Sequence, residues 1–355
     1  MICFFVRPYS SADRISGFEP EDGSSILSGG TINMNFLLVI VYGYIFVAGL
    51  VIFFVIRDRR KFGLFFNRRP RIASIVIAIL FFGILIGIYS AMIGPFVLKT
   101  TNVNLQSDKI QTPLKIAFVS DIQVGQWKKT AWVEKIVKKI IENNPDIVII
   151  GGDLIDNEGT SEDESEYLKP LENLVSRYPV YYVLGNHEYG IGGHIINKPE
   201  RYTGDRSQLL INRMRELGAT LLRSDIVCPE INNQKICLFG LDEIWKAKPD
   251  FSELINWSER GPLIFITHNP DGMLSYPTNF PSPTLTLAGH THGGQIWIPF
   301  WGPLVGAQMI LNSSYYRGMN YFNGSAIYTS VGAGESGAPL RFFTVPEVVI
   351  IELEP

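Results

Sequence analysis

Two long apolar runs restrict the fold of this chain more than any other feature. Residues 36–56 and 72–98 are rich in Ile, Leu, Phe and Val, and neither run contains a charged side chain. A helix that crosses the hydrocarbon core of a bilayer needs about 20 such residues. A buried helix of a soluble protein is the alternative, but two runs in tandem favour a pair of transmembrane helices. The overall share of hydrophobic residues, 46%, points the same way.

The segment between these runs, residues 57–71, is strongly basic. It contains seven Lys and Arg residues, whereas the outer flanks of the runs carry little beyond Lys99. The positive-inside rule therefore places this loop in the cytoplasm and the carboxyl-terminal part of the chain on the outer face of the cell membrane. Basic side chains here would contact anionic lipid headgroups. Nucleic-acid binding is not expected, because the net charge is -3.

Changes in composition divide the rest of the chain. Residues 1–35 are rich in Gly and Ser without periodicity, and we expect a disordered tail. Met34 opens the first apolar run, so we hypothesise that translation starts there; peptides from residues 1–33 would contradict this. The predicted regions are the two transmembrane helices with their basic loop over residues 36–98, a polar linker over residues 99–113, and one α/β domain over residues 114–355.

Residues 114–355 alternate between short apolar runs and amphipathic segments. The amphipathic segments predict helices over residues 130–143, where apolar side chains recur at helical spacing, and over residues 207–217, which Gly218 follows. The apolar runs predict strands at residues 114–120, 146–150, 180–184, 236–239, 263–267, 284–287, 326–330 and 348–353, and near Ile226. This order favours a layered α/β fold.

Side chains of the types that bind metal ions follow these predicted strands repeatedly. They are Asp121, Gln123, Asp153, Asn186, His187, His268, His290 and His292. Any one of them alone is more often a cap or a core residue, but strand ends on one edge of an α/β sheet converge, and ligands bind there. Carboxylate, amide and imidazole groups together suit Mn²⁺, Fe, Zn²⁺ or Mg²⁺. Their number is too large for one ion and suits two.

The same residues lie in motifs of a known family. The segments Asp121-Ile122-Gln123, Gly151-Gly152-Asp153, Gly185-Asn186-His187-Glu188, His268 and Gly289-His290-Thr291-His292 closely resemble those of the calcineurin-like metallophosphoesterases. The resemblance covers residues 114–355. It implies a two-sheet β-sandwich flanked by helices, with a dinuclear metal site at the strand ends, here preceded by the transmembrane hairpin.

The resemblance also implies a role for each motif residue. One ion would be held by Asp121, Gln123, Asp153 and His292. Asp153 would bridge to a second ion, held with Asn186, His268 and His290. His187 would be the catalytic histidine beside the scissile phosphate. Two such ions activate water and clamp the phosphoryl oxygens of an in-line displacement, so we expect hydrolysis of a phosphodiester or diphosphate.

Gln123 departs from the family pattern, which has histidine at this position. A glutamine offers only a neutral amide oxygen, which is a harder and weaker ligand than imidazole. We therefore expect looser binding of that ion and a preference for Mn²⁺ or Mg²⁺, as in the manganese-dependent ADP-ribose/CDP-alcohol diphosphatases that this position resembles. An inactive metal-binding sensor or scaffold is the alternative, although the presence of Asn186 and His187 argues against it.

The sequence indicates a lipid-linked substrate without identifying it. Gly293-Gly294-Gln295, together with Gly332-Ala333-Gly334, Pro339-Leu340-Arg341 and Pro346-Glu347, is similar to the membrane-associated branch assigned as UDP-2,3-diacylglucosamine hydrolases. An outer-face domain would instead favour phospholipid headgroups or undecaprenyl-type diphosphates. Arg341 is a candidate phosphate contact, because a guanidinium fork suits phosphate; an ordinary surface arginine is the alternative. The aromatic segment 296–301 either dips into lipid or packs in a core. No protein partner is predicted.

Two cysteines allow one further expectation. Cys228 and Cys237 lie symmetrically about Asn232-Asn233, which is typical of a hairpin turn, so they are expected to face each other across two strands. We expect two small buried apolar side chains, with a disulfide as the alternative in an oxidising compartment.

Overall fold

The computed structural model describes residues 34–58, 65–157, 162–191, 203–257, 261–304 and 309–355. Residues 1–33 of the predicted tail lie outside this part of the chain, and so do residues 59–64 of the predicted basic loop. The hypothesis about the start of translation therefore concerns residues that the structure does not describe.

The two apolar runs form helices. Their bounds are α1 (Met34–Arg57), the short α2 (Phe65–Arg68) and α3 (Pro70–Ile88), which continues as a π turn (Tyr89–Ile93) and a 3₁₀ turn (Gly94–Phe96). Two spans, Leu37–Arg57 and Pro70–Phe96, are long and apolar enough to cross a membrane, and only 11% of each is buried. The helices pack together at Gly87, where a Cβ atom would lie 3.2 Å from the Ile45 side chain. Small residues permit such close approach of two helices.

The rest of the chain forms sixteen short strands and three helices among the described residues. The helices are α4 (Thr130–Glu142), α5 (Glu172–Val175) and α6 (Ser207–Leu217). The strands are β1 (Lys99–Gln106), β2 (Leu114–Val119), β3 (Ile147–Ile150), β4 (Val180–Tyr182), β5 (Thr220–Leu221), β6 (Asp225–Val227), β7 (Glu230–Ile231), β8 (Gln234–Lys235), β9 (Cys237–Gly240), β10 (Leu263–Thr267), β11 (Leu285–Ala288), β12 (Trp297–Ile298), β13 (Gly302–Pro303), β14 (Gly318–Phe322), β15 (Ser325–Thr329) and β16 (Glu347–Glu354).

Twelve of these strands form two six-stranded sheets. The orders are β1-β16-β2-β3-β4-β5 and β14-β15-β11-β10-β9-β6. The inner faces of the two sheets pack against each other: Phe118 and Ile149 of the first sheet share one buried cluster with Leu238 and Ile266 of the second. The two-sheet sandwich is therefore confirmed.

Helix α4 covers the outer face of the first sheet. Its buried side chains, Trp132, Val133, Ile136, Val137 and Ile140, recur at the predicted helical spacing. They lie in a cluster with Val148 and Ile150 of β3. These apolar side chains lie on one face of α4, and that face packs against the sheet. The sequence pattern was therefore sufficient to predict which face of the helix is buried.

The expected linker over residues 99–113 is wrong in its first half. Lys99–Gln106 is the edge strand β1, which pairs in parallel with β16 from Lys99 opposite Glu347 to Gln106 opposite Glu354. An edge strand has one free side and little burial, so its composition stays polar. Pairing with the last strand of the chain, almost 250 residues away, is not visible in a local pattern.

Cys228 and Cys237 face each other, as predicted. Strands β6 and β9 are antiparallel, and the turn residues Asn232 and Asn233 both adopt positive φ angles, 52° and 60°. The expectation of two free thiols is wrong, because the cysteines form a disulfide. Antiparallel pairing places the two side chains next to each other on the same face of the sheet. The sequence spacing was compatible with this arrangement but did not require it.

Candidate metal centre

The predicted site residues meet at one edge of the sandwich. Strands β2, β3 and β4 are parallel in the first sheet, and β9, β10 and β11 are parallel in the second. Asp121 and Asp153 follow strands of the first sheet, whereas His268 and His290 follow strands of the second. The carboxyl ends of both parallel sets lie at the same edge, which brings these side chains together.

Five of the predicted ligands have left-handed backbone conformations. Their φ angles are 53° at Asp121, 47° at Gln123, 51° at Asp153, 69° at His290 and 49° at His292. Residues other than glycine rarely adopt this region, and each such residue costs on the order of 1–3 kcal/mol. Strained residues of this kind cluster where side chains must be aimed at a shared point, so the conformation supports a functional site.

Two groups of side chains are close enough to hold an ion. Ligand atoms of Asp153, His268 and His290 lie within 4.8 Å of one another, and so do those of Asp121, Asp153 and His292. Asp153 is buried and belongs to both groups. A carboxylate with two oxygens can bridge two neighbouring ions, so the arrangement has the form of a dinuclear centre.

The first group gains a fourth side chain from Asn186. The Asn186 Oδ1 atom lies 3.2 Å from Nε2 of His268 and 2.9 Å from Nδ1 of His290. The Nδ1 atom of His268 is 2.8 Å from the Gly151 carbonyl oxygen, a contact that fixes the orientation of the ring. We call Asp153, Asn186, His268 and His290 the histidine-rich site.

The second group includes Gln123, and we call Asp121, Gln123, Asp153 and His292 the glutamine site. Nε2 of His292 lies 3.5 Å from Asp121 Oδ1, and Nε2 of Gln123 lies 3.2 Å from Asp153 Oδ2. The Gln123 Oε1 atom is buried, and no donor among the described residues reaches it. A buried oxygen without a partner costs about 1–3 kcal/mol. A cation at this site would remove that cost, so the residues fit a metal ion.

Burial keeps both histidines of the HxH motif neutral. It lowers the pKa of His290 to about 3 and the pKa of His292 well below its usual range. For His292 the positive charge of Arg341 acts in the same direction. Neutral imidazole is the form that binds a metal ion.

His187 lies beside both groups and presents one ring nitrogen to them. Its backbone N–H donates to Asp153 Oδ1 at 2.9 Å, and its Nδ1 lies 2.5 Å from the Asp156 carbonyl oxygen. The Nε2 atom is 4.0 Å from Asp153 Oδ2 and 3.5 Å from Ser336 Oγ. Burial lowers the pKa of His187, but the Asp153 and Asp156 carboxylates outweigh burial and raise it to about 9.

Glu188 organises the loops that carry these residues, a role that sequence reasoning missed. Its buried carboxylate accepts hydrogen bonds from the backbone N–H groups of Asp153 at 3.0 Å, Leu154 at 2.7 Å and Gly185 at 2.7 Å. Burial raises the pKa of this carboxyl to about 7. The acid was visible in the motif after His187, but its partners Asp153 and Leu154 lie at the end of another strand and left no local signal.

Gly289 lets the two sheets approach at the site. A Cβ atom at this position would lie 1.9 Å from Ser120 Oγ and 2.4 Å from Asp121 Oδ2. The next residue, His290, donates its backbone N–H to Asp121 Oδ1 at 2.9 Å. Glycine before the HxH motif is therefore needed for the contact between the strand ends.

Arg341 lies inside the protein, so the surface-arginine alternative is wrong. The residue is 1% exposed, and its guanidinium donates to the carbonyl oxygens of His292 and Val331, each at 2.8 Å, and to Glu335 Oε1 at 3.2 Å. It also donates to the Gly334 carbonyl oxygen. Because protein groups occupy these donors, the geometry favours positioning of His292 over a direct contact with phosphate.

Two residues near the histidine-rich site were also missed. The Trp245 ring packs edge-on against His290 with centroids 4.6 Å apart. Glu243 is buried, which raises the pKa of its carboxyl to about 7. Both follow β9 in an irregular segment, where no sequence period could have predicted their direction.

Comparison with known proteins agrees with this geometry. The sequence model of the calcineurin-like phosphoesterases matches residues 114–294. The metallophosphoesterase YkuE of Bacillus subtilis is 28% identical over 75% of this chain and 89% of its own length. A metallophosphoesterase of Helicobacter pylori is 31% identical over 76% of this chain and 70% of its own. The phosphodiesterase YaeI of Escherichia coli is 28% identical over 68% and 82%.

Proposed function

This chain belongs to the calcineurin-like phosphoesterase family, and from that premise we propose that it is a membrane-anchored dimetal enzyme that hydrolyses a lipid-linked phosphodiester or diphosphate. That it is a metal-dependent phosphohydrolase follows from the family. The lipid-linked substrate, the anchor and the roles of individual residues are the parts that we propose. The single observation that carries the proposal is the position of Asp153 in both groups of candidate ligands.

We assign one divalent ion to each group. The glutamine site would hold the first ion and the histidine-rich site the second, with the Asp153 carboxylate between them. Two ions held in this way would activate water and neutralise the phosphoryl oxygens. Mn²⁺ is our choice of metal, because Gln123 contributes an amide oxygen where imidazole would favour softer ions.

His187 would act on the leaving oxygen. The reaction adds the oxygen of water to phosphorus and breaks the bond from phosphorus to the leaving oxygen, which then needs a proton. Nδ1–H donates to the Asp156 carbonyl oxygen, which leaves Nε2 toward the centre. Burial lowers the pKa of the ring, but the Asp153 and Asp156 carboxylates outweigh burial and so favour the imidazolium form, which carries a second proton on Nε2. A positioned general acid of this kind contributes roughly 10²–10⁴-fold to the rate.

The proposed anchor is the pair of helices α1 and α3. Their candidate spans are apolar and mostly exposed, which favours burial in lipid. Phosphate groups of lipids would then be presented near the domain: phospholipids or polyprenyl diphosphates if the domain is on the outer face, and UDP-2,3-diacylglucosamine only if it is on the cytoplasmic face. A transmembrane protein with a metallophosphoesterase domain from Danio rerio, 26% identical over 72% of this chain and 57% of its own length, supports an anchor by its name.

Two observations support an extracytoplasmic catalytic domain. The basic residues of the segment between α1 and α3 favour the cytoplasm for that segment. The disulfide between Cys228 and Cys237 is typical of an oxidising compartment. Protease treatment of intact cells tests this placement: the domain should be cleaved without lysis, and protection until lysis would contradict it.

The activity is tested by incubating membrane lipid extracts with the full-length, Mn²⁺-loaded protein and following the products by mass spectrometry. We expect new phosphate-bearing headgroups or monophosphates that do not form with the His187→Ala variant. The alternative that Gln123 raises is an inactive sensor. Such a protein would bind two ions, and neither the unaltered protein nor the His187→Ala variant would release product. That outcome would overturn the proposed function.

A further inference from the structure

We propose that the segment of residues 297–303, called the aromatic hairpin below, inserts its tip into the bilayer beside the end of α3 and admits lipid phosphates to the metal centre. The inference deepens the proposed function and rests on it for the membrane anchor. It assigns to the enzyme a substrate that stays in the leaflet while its phosphate is hydrolysed.

The tip of the aromatic hairpin is apolar and exposed. Strands β12 and β13 pair antiparallel, with Trp297 opposite Pro303, and Phe300 and Trp301 stand at the turn with 111% and 85% of their surface exposed. Phe300 also has a left-handed backbone, with φ at 68°. Left-handed backbone is uncommon for a bulky residue, and strain of this kind points to function.

The base of the aromatic hairpin lies next to the end of the proposed anchor. The backbone N–H of Trp297 donates to the Phe342 carbonyl oxygen at 2.8 Å, and the backbone N–H of Arg341 donates to the Ser90 carbonyl oxygen at 2.9 Å. Three residues of extended chain span at most about 10 Å, so the Phe300 tip stays close to the helix end. The base of the hairpin and the end of the proposed anchor are thus joined through the consecutive residues Arg341 and Phe342.

The surface residues beside the hairpin, Phe343 and Arg317, and those beside the end of α3, Trp127 and Lys135, have the composition of a membrane interface. Phe343 is 57% exposed and Trp127 is 39% exposed. Arg317 lies 3.8 Å from the centre of the Trp297 ring, and Lys135 donates to the Phe96 carbonyl oxygen at 2.6 Å. Aromatic and basic side chains together are enriched where protein meets lipid headgroups. A bilayer suits this combination better than an apolar protein partner, which would not require the cations.

The aromatic hairpin is also joined to the metal centre. Only three residues separate His292 from Ile296, which bridges to Phe342 at the base of the hairpin. Thr344 Oγ1 donates to the Gln295 carbonyl oxygen and fixes this connection. A stretch of four residues spans at most about 14 Å. A headgroup at the depth of the hairpin base would therefore need little displacement from the leaflet to reach the centre.

Depth-dependent quenching tests the insertion directly. We would label Phe300→Cys with an environment-sensitive fluorophore in the full-length Cys3→Ser protein, reconstituted in phosphatidylcholine and phosphatidylglycerol vesicles that contain spin-labelled lipid. Ile255→Cys is the matched control, since Ile255 is an apolar side chain with 71% exposure in a turn that precedes the amino end of β10, away from the metal edge. We expect several-fold stronger quenching at position 300. Equal quenching at the two positions would overturn the inference. A tip that is covered by a protein partner instead of lipid would also give this result.

Hydrolysis provides the second readout. The Phe300→Ser/Trp301→Ser variant should cleave a phosphoester embedded in vesicles about tenfold more slowly or worse, given the apolar area that two aromatic side chains bury. Cleavage of the soluble bis(p-nitrophenyl) phosphate should be unchanged. Equal loss on both substrates would overturn the inference. If the unaltered enzyme cleaved neither substrate, the proposed function would fail, and the quenching result would still decide the position of the hairpin.

Discussion

The two candidate ion sites share Asp153 but differ in the side chains that complete them. The histidine-rich site has two imidazoles that contact the Asn186 oxygen at 3.2 Å and 2.9 Å. The glutamine site has one imidazole, the Gln123 amide and a second carboxylate, Asp121, and the Arg341 guanidinium lies behind it, 3.4 Å from Nδ1 of His292. Each site contains one neutral amide, so the sites differ in a second imidazole against the Asp121 carboxylate, and in the positive charge of Arg341, which offsets that carboxylate and disfavours a cation. The comparison therefore predicts two ions of unequal affinity.

The site predicted to be weaker is the one that is connected to the end of the α3 segment. Arg341 and Lys128 both contact the buried Glu335 carboxylate, each at 3.2 Å. Lys128 also donates to the Pro95 carbonyl oxygen at 2.6 Å, at the end of the α3 segment. Burial lowers the pKa of Lys128 to about 7, against the effect of Glu335. Buried charges are costly unless paired, so this network restricts how far the helix end and His292 can move independently.

The change expected to have the largest effect removes the feature common to both sites. Asp153→Asn should lose both ions and reduce turnover below detection, because one carboxylate holds the two sites together. Metal analysis of the purified variant measures the loss. Asp146→Asn is the control, since Asp146 accepts from the Lys115 backbone N–H outside the site. A variant that kept two ions would show that Asp153 does not bridge them.

Removing His187 should affect chemistry without affecting either ion. We expect His187→Ala to lower kcat by roughly 10²–10⁴-fold and to retain two bound metal ions. The decrease in kcat should be smaller for a substrate whose leaving group needs no proton, such as a p-nitrophenyl ester, than for an alkyl ester. The general-acid role would be wrong if both esters lost the same factor.

Arg341 allows the two sites to be separated. Arg341→Lys keeps the charge but not the fork geometry that reaches several carbonyl oxygens. We expect a loss of about 10–100-fold in metal affinity, typical of groups that orient a ligand, at the glutamine site alone. Titration of Mn²⁺ by calorimetry would show one weakened and one unchanged binding event. Arg223→Lys, at an exposed pair with Asp242, is the control. Unchanged Mn²⁺ affinity at both sites would show that Arg341 does not position the ligands of the glutamine site.

The smallest effect is expected from a substitution that makes the ligands of the two sites more alike. Gln123→His supplies the missing imidazole and should tighten the weaker Mn²⁺ site by up to about tenfold, with turnover spared or raised. Competition with a metal indicator measures the affinity, and steady-state kinetics the turnover. Abolition of Mn²⁺-dependent turnover would contradict the explanation from ligand softness.

Short-range pattern was enough to predict most strands and helix α4. Apolar runs such as residues 263–267 reappear as β10 (Leu263–Thr267), and the helical stripe of residues 130–143 reappears as α4. Buried parallel strands are apolar along their whole length, which makes them visible in sequence. β1 escaped prediction because an edge strand needs no such composition.

The sequence by itself determined the residue types of the centre and their positions after strands, because sheet topology requires ligands at strand ends. It also determined the two apolar spans, because uncharged apolar runs of about 20 residues are typical of helices that cross a bilayer. Only the tertiary structure decided which side chains share Asp153, that Arg341 is buried behind His292, and that the aromatic hairpin lies beside the end of α3. These relations join segments far apart in the chain, and no local period encodes a contact between them.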